Sequence, residues 1–373
     1  MSNVPFLDLK EPYLELRKEI DAAVARVLES GWYILGPEVE AFESEYSAYC
    51  KVKHTVGVAS GLDALILSLE ALGIGSGDEV IVPSNTFIAT WLAVAAVGAK
   101  PIPVEPCVDT YNINSNLIEA AVSEKTKAII PVHLYGVPCD LDPVISIAKR
   151  YNIAVIEDAA QAHGAKYRNT RIGGTGDLVC WSFYPGKNLG AMGDGGAITT
   201  NSTDLAQQLR VLRNYGSKVK YLNERKGRNS RLDPIQAAIL RVKLKYLDDW
   251  NARRCSVATF YLSALKNTGL ILPQVCDWAD PVWHLFVVRC VQRDAMKSYL
   301  ENSGVSTLIH YPIPPHRQTA FLHEGYDEAD YPICTLLSNQ ILSLPMGPHL
   351  KAPNAERVVD AIMKFHDEIA DVE

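Results

Sequence analysis

The feature that most constrains the fold of this chain is a regular alternation of apolar and helix-like segments between residues 54 and 160. The apolar segments are "HTVGVAS", "DEVIVPS", "KPIPVEP", "KAIIPVHL" and "IAVIEDAA", and segments with helical periodicity separate them, the third of which covers residues 115–124. Strands that alternate with helices in this way predict βαβ units and a mostly parallel sheet. Because the strands are continuously apolar, we expect the sheet to be covered on both faces.

The second half of the chain has a different pattern. "LVCWSFYP" and "GAITTN" are predicted strands joined by a glycine-rich loop, and a helical region follows from about residue 233 to 265. A strand in "WHLFVVRC", a helix in "RDAMKSYLENSG" and a last helix near residues 354–370 indicate a smaller α+β unit. A length of 373 residues predicts about two domains. We therefore expect an N-terminal arm with a large α/β domain in residues 1–247, and a smaller α+β domain in residues 248–373.

The composition argues against several classes of protein. The net charge is −7 and no dense block of Lys and Arg occurs, which argues against a nucleic-acid partner; the most basic stretch, residues 217–231, predicts a mobile loop. No apolar run reaches the roughly 18 residues of a membrane span, and the N-terminus lacks a signal-peptide pattern. The eight cysteines are scattered without a CxxC pair, which predicts a reduced, cytoplasmic protein with no disulfide framework and no metal site.

Three features stand at the carboxyl ends of predicted strands, where open α/β sheets bind ligands. Gly61 and Leu62 open a helix after the first strand, and the free N–H groups of a helix N-terminus attract anions. Asp158 ends the fifth strand, and Lys187 follows the sixth, between a Pro-Gly turn and the glycine-rich loop. Taken singly, these are also the features of an ordinary strand–helix turn, a satisfied buried carboxylate and a solvated lysine.

Taken together, the three features match the chemistry of pyridoxal 5′-phosphate (PLP). Its phosphate needs a helix N-terminus, its pyridinium nitrogen needs a carboxylate, and its aldehyde needs a lysine amine for a Schiff base. No GxGxxG segment opens an early helix and no GxxxxGK[ST] segment occurs. A NAD-dependent Rossmann enzyme is therefore the weaker alternative, and a P-loop is not expected.

The sequence also resembles a known family over nearly its whole length. The similar segments are, in order, "PFLDL", "GWYILGPEVEAFESEYSAYC", "ASGLDAL", "PSNTFIAT", "VHLYG", "IEDAAQAHGA", "SFYPGKNLGAMGDGGAI", "GRNSRLDPIQAAIL" and "HYPIPPHRQTAF". They resemble the PLP-dependent sugar aminotransferases of the DegT/DnrJ/EryC1 family. This resemblance implies the fold-type I architecture of aspartate aminotransferase, a mostly parallel central sheet with a smaller C-terminal α+β domain.

The resemblance implies a role for individual residues of this chain. Lys187 would carry PLP as a Schiff base and then move a proton, and Asp158 would pair with the ring nitrogen. The other implied cofactor-binding residues are Gly61, Leu62, Phe87, Gln161, Ser182 and Asn229, the last of which would reach the neighbouring subunit's cofactor in a homodimer. The implied substrate-binding residues are Tyr33, Tyr184, Arg231, His310 and Tyr311. A core role for Phe87 and a structural role for His310 remain open alternatives.

The glycine-rich loop also resembles one subgroup of the family. Tyr184 and Asp194 differ from the "SFHxxK" and "GEGG" patterns of subgroups that act at C4 of the sugar. The resemblance thus implies transfer of an amino group from L-glutamate, released as 2-oxoglutarate, to a nucleotide-linked (dTDP) 3-keto-6-deoxyhexose. The product would be a 3-amino-3,6-dideoxyhexose for a surface polysaccharide or glycoconjugate.

Three alternatives to this function stay open. Two belong to the same family: a 4-aminotransferase for a nucleotide-linked 4-keto-6-deoxyhexose, and a cyclitol aminotransferase. The third is a PLP-binding regulatory protein without turnover. Relatives that dehydrate their substrate carry histidine at the position of Lys187, so the lysine favours transamination.

Overall fold

The computed structural model of the chain describes residues 3–370, with side chains through residue 368. Its strands are β1 (His54–Val58), β2 (Glu79–Pro83), β3 (Lys100–Val104), β4 (Thr126–Ile129), β5 (Ala154–Asp158), β6 (Lys166–Tyr167), β7 (Thr170–Arg171), β8 (Leu178–Ser182), β9 (Gly196–Thr200), β10 (Ser217–Val219), β11 (Leu222–Asn223), β12 (Ala279–Asp280), β13 (Phe286–Arg289) and β14 (Ile341–Leu344). Its α-helices are α1 (Glu11–Glu15), α2 (Arg17–Ser30), α3 (Pro37–Cys50), α4 (Gly61–Ala71), α5 (Ile88–Ala96), α6 (Ser115–Ile118), α7 (Leu141–Tyr151), α8 (Thr203–Leu212), α9 (Pro234–Leu244), α10 (Leu247–Ala264), α11 (Arg293–Asn302), α12 (Pro332–Gln340) and α13 (Ala352–Ala370).

The central element is a seven-stranded sheet in the order β1-β9-β8-β5-β4-β2-β3. Strands β8, β5, β4, β2 and β3 are parallel, whereas β9 runs antiparallel to both of its neighbours. The prediction of a mostly parallel sheet is therefore confirmed. Parallel strands place their carboxyl ends at one edge of the sheet, which is where the candidate site lies.

Helices cover both faces of this sheet. Successive side chains of a strand point to opposite faces, and in β2 Ile81 packs into one hydrophobic cluster while Val80 packs into another. The first cluster includes Phe42 of α3, and the second includes Leu65 of α4 and Trp91 of α5. Burial on both faces explains why these strands are continuously apolar.

Two short segments differ from the sequence-based expectation. The helix predicted over residues 115–124 is wrong in length: α6 ends at Ile118, and a 3-10 turn, Glu119–Ala121, follows. The Ser123 N–H then donates to Thr126 Oγ1 at 2.9 Å, and this local bond turns the chain into β4 instead of extending the helix. Within residues 217–231, which were expected to form a mobile loop, β10 and β11 pair as a short antiparallel hairpin.

A third hydrophobic cluster lies in the C-terminal part of the chain. It packs β13 and β14 against α11 and α13 through Phe286, Leu342, Leu300 and Ile362. Helix α10 connects two cores, because its first residue, Leu247, belongs to the first cluster whereas later residues belong to the third. The predicted boundary at residue 247 falls at the start of this helix and stays a prediction.

None of the helices described here is long and apolar enough to cross a membrane.

Candidate active site

Two neighbouring strand ends define the candidate site. Asp158 is the last residue of β5 and Ser182 is the last residue of β8, and the two strands pair in parallel. Lys187 follows in a loop with fixed turns, since its N–H donates to the Tyr184 carbonyl at 2.9 Å and the Phe183 N–H donates to the Gly195 carbonyl at 2.7 Å. The sheet topology and this loop thus place the lysine beside the carboxylate.

Asp158 is a buried carboxylate with no cation bonded to it. Its Oδ2 accepts a hydrogen bond from the Thr90 hydroxyl at 2.9 Å, and its Oδ1 accepts one from the Ala160 N–H at 3.2 Å. Burial raises the pKa of Asp158, while these bonds and the charge of Lys187 act in the opposite direction. Within residues 3–370 no salt bridge reaches this carboxylate, so a protonated ring nitrogen from a ligand would supply the missing cation.

The amine of Lys187 is suited to react as a nucleophile. Burial lowers its pKa to about 8, although the charge of Asp158 raises it. No hydrogen bond to this amine is formed by the residues that the structure describes. A lysine whose pKa approaches neutrality carries a useful fraction of the neutral amine, which is the form that attacks an aldehyde.

The start of α4 forms an anion cradle against the end of β8. Ser60 caps this helix, because its Oγ accepts the N–H of Asp63 at 3.1 Å, which leaves the N–H groups of Gly61 and Leu62 for a ligand. A Cβ on Gly61 would lie 2.6 Å from the Cβ of Ser182, so the close approach requires glycine. The hydroxyl of Ser182 accepts the N–H of Tyr184 at 3.3 Å and donates to no other residue among those described, so its own proton is left for a ligand. A phosphate group fits this arrangement.

Aromatic and amide side chains complete the other side of the site. The Gln161 Oε1 accepts the Tyr135 N–H at 2.6 Å, and its Nε2 donates to the Tyr311 hydroxyl at 3.1 Å. The Tyr311 ring lies 5.2 Å from the half-exposed ring of Phe87. Burial and the charge of Lys187 lower the pKa of the neighbouring His310 to about 4.

Most of the residues predicted from the sequence therefore converge. The structure joins Gly61, Leu62, Phe87, Asp158, Gln161, Ser182, Lys187, His310 and Tyr311 through the contacts and charge interactions described above. A core role for Phe87 does not fit its 49% exposed side chain. The individual roles of these residues stay predictions.

Four predicted residues do not join this group through their side chains in the single chain. The Tyr33 hydroxyl donates to the Leu28 carbonyl at 3.2 Å, and the side chain of Tyr184 is exposed. Arg231 donates to the Asn214 Oδ1 at 3.0 Å, and the side chain of Asn229 is exposed. Their predicted contacts require a substrate or a second subunit.

Sequence reasoning missed four residues of the site. Thr90 bonds Asp158 from the first turn of α5, and Asn188, next to Lys187, bonds His284 at 3.2 Å. His163 is fully buried beside Trp181, and neither of its ring nitrogens has a hydrogen-bond partner in the part of the chain that the structure describes. The available signals were single polar residues within otherwise apolar segments, such as "FIATWLAVAA" and "WHLFVV".

The fold and the site are those of a fold-type I PLP-dependent enzyme. Comparison with known proteins then identifies the family within this class. The model of the DegT/DnrJ/EryC1/StrS aminotransferase family matches residues 14–363, and the chain belongs to this family. The dTDP-3-amino-3,4,6-trideoxy-α-D-glucose transaminase of Streptomyces venezuelae is 54% identical over 367 residues, which cover 98% of this chain and 97% of that protein. The dTDP-3-amino-3,6-dideoxy-α-D-galactopyranose transaminase of Aneurinibacillus thermoaerophilus is 54% identical over 362 residues, which cover 97% of this chain and 99% of that protein.

Solved structures agree with this placement. The crystal structure of S. venezuelae DesV in complex with a ketimine intermediate has a TM-score of 0.97 and 54% identity, and the match covers 98% of this chain and 99% of that one. Other similar structures contain PLP or its pyridoxamine form. The chain is a PLP-dependent sugar aminotransferase, and the family, fold class and cofactor predicted from the sequence are confirmed.

Proposed function

We propose that this protein transfers the amino group of L-glutamate to C3 of a dTDP-linked 3-keto-6-deoxyhexose. The product is a 3-amino-3,6-dideoxyhexose, made in the cytoplasm for a surface polysaccharide or glycoconjugate. The observation that carries this proposal is the free amine of Lys187 beside the cation-free carboxylate of Asp158. Two relatives that are 54% identical over nearly the whole chain, both named as transaminases of dTDP-linked 3-amino sugars, support the position on the sugar and the nucleotide.

The residues present fit PLP. Gly61 and Leu62 would hold its phosphate through the N–H groups that open α4, and Ser182 would add its hydroxyl. Phe87 would cover a ring face, and Gln161 would bond the ring hydroxyl. When bound, PLP supplies an electron-withdrawing ring that stabilises negative charge on the amine-bearing carbon. The carboxylate of Asp158 would keep a proton on the ring nitrogen, and the buried position of that carboxylate strengthens the pairing.

Lys187 has two tasks in this proposal. Its neutral amine would hold the cofactor through the aldehyde, and its pKa of about 8 makes that neutral form accessible near neutral pH. The Nζ of Lys187 would also move a proton to and from the amine-bearing carbon of the substrate. General acid–base catalysis of this kind contributes typically about 10²–10⁴-fold to the rate.

The substrate-binding residues and the second subunit are part of the same proposal. His310, Tyr311 and the exposed Tyr184 offer hydrogen bonds to sugar hydroxyls, while Tyr33 offers a ring and Arg231 a guanidinium for the carboxylate or phosphate groups of a substrate. In the single chain Trp32, Tyr33 and Ile34 are each more than half exposed. A contiguous exposed apolar segment of this kind is typical of an interface, which supports a homodimer in which Asn229 reaches the neighbouring cofactor.

The test determines both the structure of the product and the identity of the amino donor. Purified protein with PLP is incubated with L-glutamate and either a dTDP-linked 3-keto or 4-keto 6-deoxyhexose, and the position of nitrogen in the product is located by NMR. We expect the amine on C3, formation of 2-oxoglutarate, and much slower turnover with L-aspartate. Lys187→Ala is the matched control and should abolish both products. Amination at C4, or turnover only of a cyclitol, would overturn the proposal.

A further inference from the structure

The segment "VHLYG", residues 132–136, forms a tight turn after β4 to which the proposed function assigns no role. Tyr135 is only 4% exposed and has a left-handed backbone with φ of +59°, which is unfavourable for a residue with a large side chain. A Cβ on the next residue, Gly136, would lie 2.8 Å from the His284 nitrogen and 3.0 Å from the Gln161 carbonyl oxygen. The turn therefore packs closely against the loop that carries Gln161.

The side chain of Asn112 fixes this turn at both ends. Its Oδ1 accepts the Leu134 N–H and its Nδ2 donates to the Val137 carbonyl, both at 3.0 Å. Asn112 is itself buried. Strained backbone persists only where its surroundings over-determine it, and such positions cluster at functional sites. The turn thus holds Tyr135 in one orientation.

The backbone N–H of Tyr135 determines the orientation of the Gln161 amide. An N–H group can only donate, so the atom that faces it at 2.6 Å is the Gln161 Oε1. The Nε2 of the same amide then donates to the Tyr311 hydroxyl at 3.1 Å. Because the Tyr311 oxygen accepts this bond and donates to no residue among those described, its own proton is left for a ligand.

The hydroxyl of Tyr135 holds the backbone just before Tyr311. It donates to the carbonyl of His310, which belongs to the peptide unit that leads into Tyr311. The ring of His310 has an anchor of its own, because its Nδ1 bonds the Ser343 hydroxyl at 2.8 Å. Tyr311 is therefore tied to Tyr135 at both ends, through the preceding carbonyl and, by way of Gln161, through its hydroxyl.

We propose that Tyr135 is a positioning residue for Tyr311, which it holds so that the Tyr311 hydroxyl donates a hydrogen bond to the keto sugar. This inference rests on the proposed function, in which Tyr311 binds the sugar. Loss of the Tyr135 hydroxyl should impair the half of the reaction that uses the keto sugar. The half that uses the amino donor should not change, because the bond from the Tyr135 N–H to Gln161 remains.

The variant Tyr135→Phe removes the hydroxyl and keeps the ring and the backbone N–H. The two half-reactions are measured separately on the PLP-loaded protein by absorbance: L-glutamate converts bound PLP to its pyridoxamine form, and a dTDP-linked 3-keto-6-deoxyhexose reverses this change. The affinity of the PLP form for the same keto sugar is measured by calorimetry, without an amino donor.

The expected losses are confined to the keto sugar. Tyr135→Phe should lower its affinity and the second-order rate constant of its half-reaction roughly 3–10-fold, the effect of one hydrogen bond between uncharged groups. The rate of the glutamate half-reaction should equal that of the wild type. Tyr111→Phe is the matched control, because its ring packs edge-to-face against the Tyr135 ring, whereas no described residue hydrogen-bonds its hydroxyl. This control should leave all three measurements unchanged.

A double variant tests whether Tyr135 acts through Tyr311. Tyr311→Phe should slow the sugar half-reaction at least as much as Tyr135→Phe does. The double variant, Tyr135→Phe with Tyr311→Phe, should be no slower than Tyr311→Phe alone, because a positioning residue has no effect once the group that it positions is gone.

Three results would overturn the inference: a wild-type sugar half-reaction in Tyr135→Phe, an equal loss in its glutamate half-reaction, or additive losses in the double variant. Failure of L-glutamate to convert the wild-type protein would instead refute the proposed function. The calorimetric affinity needs no amino donor and would still test the inference, so the two failures are distinguishable.

Discussion

At the scale of single residues, the site holds two charges that burial disfavours. Burial raises the pKa of Asp158 and lowers that of Lys187, so in the cofactor-free site the charged form of each group is less stable than it would be in water. A ligand that brings a proton to Asp158 on its ring nitrogen, and that consumes the amine of Lys187, relieves both penalties. Burial of the charged Asp158 carboxylate therefore serves the function of the site but lowers the stability of the cofactor-free protein.

The variant Asp158→Asn tests this balance. An amide cannot stabilise a proton on the ring nitrogen, and loss of one partner of a buried charged pair costs about 3–5 kcal/mol, so kcat should fall about 10²–10⁴-fold. The melting temperature of the cofactor-free protein should stay equal or rise, because a buried charge is removed. Thr90→Val, which removes one hydrogen bond to the carboxylate, should cost about 10-fold or less. A large fall in melting temperature would contradict this account.

At the scale of secondary-structure elements, close contacts between neighbouring elements shape the site. Helix α4 starts against the end of β8, and the loop after β8 is held from α9 by the buried Lys243, whose amine donates to the Gly190 carbonyl at 2.7 Å. A Cβ on Gly190 would lie 2.3 Å from the Pro185 carbonyl oxygen, so this loop also closes tightly on itself. These contacts fix the backbone conformation around the site, and the proposed chemistry alone would not require so tight a fit.

The variant Gly61→Ala tests the contact between α4 and β8. Its new Cβ would force the helix start away from Ser182, so the affinity for PLP should fall at least about 10-fold, as measured by fluorescence titration. Adding Ser182→Gly removes the Cβ that lies 2.6 Å away and should recover part of the loss. Gly75→Ala is the control, because its Cβ would meet only the Val97 carbonyl at an ordinary 3.5 Å. Equal affinities of all variants would refute the cradle.

The variant Lys243→Met tests the contact between α9 and the loop. Burial lowers the pKa of Lys243 to about 8, from an ordinary value of 10.5. Between these two values the unfolded chain binds more protons than the folded chain at this position, so the group contributes stability as the pH rises. The free energy of unfolding of the wild type, minus that of Lys243→Met, should increase by about 2 kcal/mol between roughly pH 7.5 and 10. Urea denaturation at several pH values measures it, and parallel curves would contradict the expectation.

At the scale of the whole molecule, local patterns were predictable and distant contacts were not. The seven strands of the central sheet each carry their own apolar signal; Asp158 ends one of these strands, and Lys187 lies in the loop that follows another. The strand order depends on pairings between distant segments, and the sequence does not encode them locally. Thr90 and Asp158 are 68 residues apart, and Asn188 and His284 are 96 residues apart, so no spacing rule could join them. The helix expected over residues 115–124 failed because side-chain hydrogen bonds outweighed its propensity.

The last prediction concerns the assembly of two chains. If Asn229 serves the neighbouring subunit's site, Lys187→Ala and Asn229→Asp should each be inactive as homodimers, the second because its carboxylate repels the cofactor phosphate. Co-expressed with different tags, they form hybrid dimers in which one of the two sites keeps both residues. Half of the dimers at equal expression are hybrids, so the mixture should regain roughly a quarter of the wild-type activity. Purified hybrids measured alone should reach about half of it. If Asn229 instead serves its own chain, every site carries one damaged residue, and neither the mixture nor the hybrids regain activity.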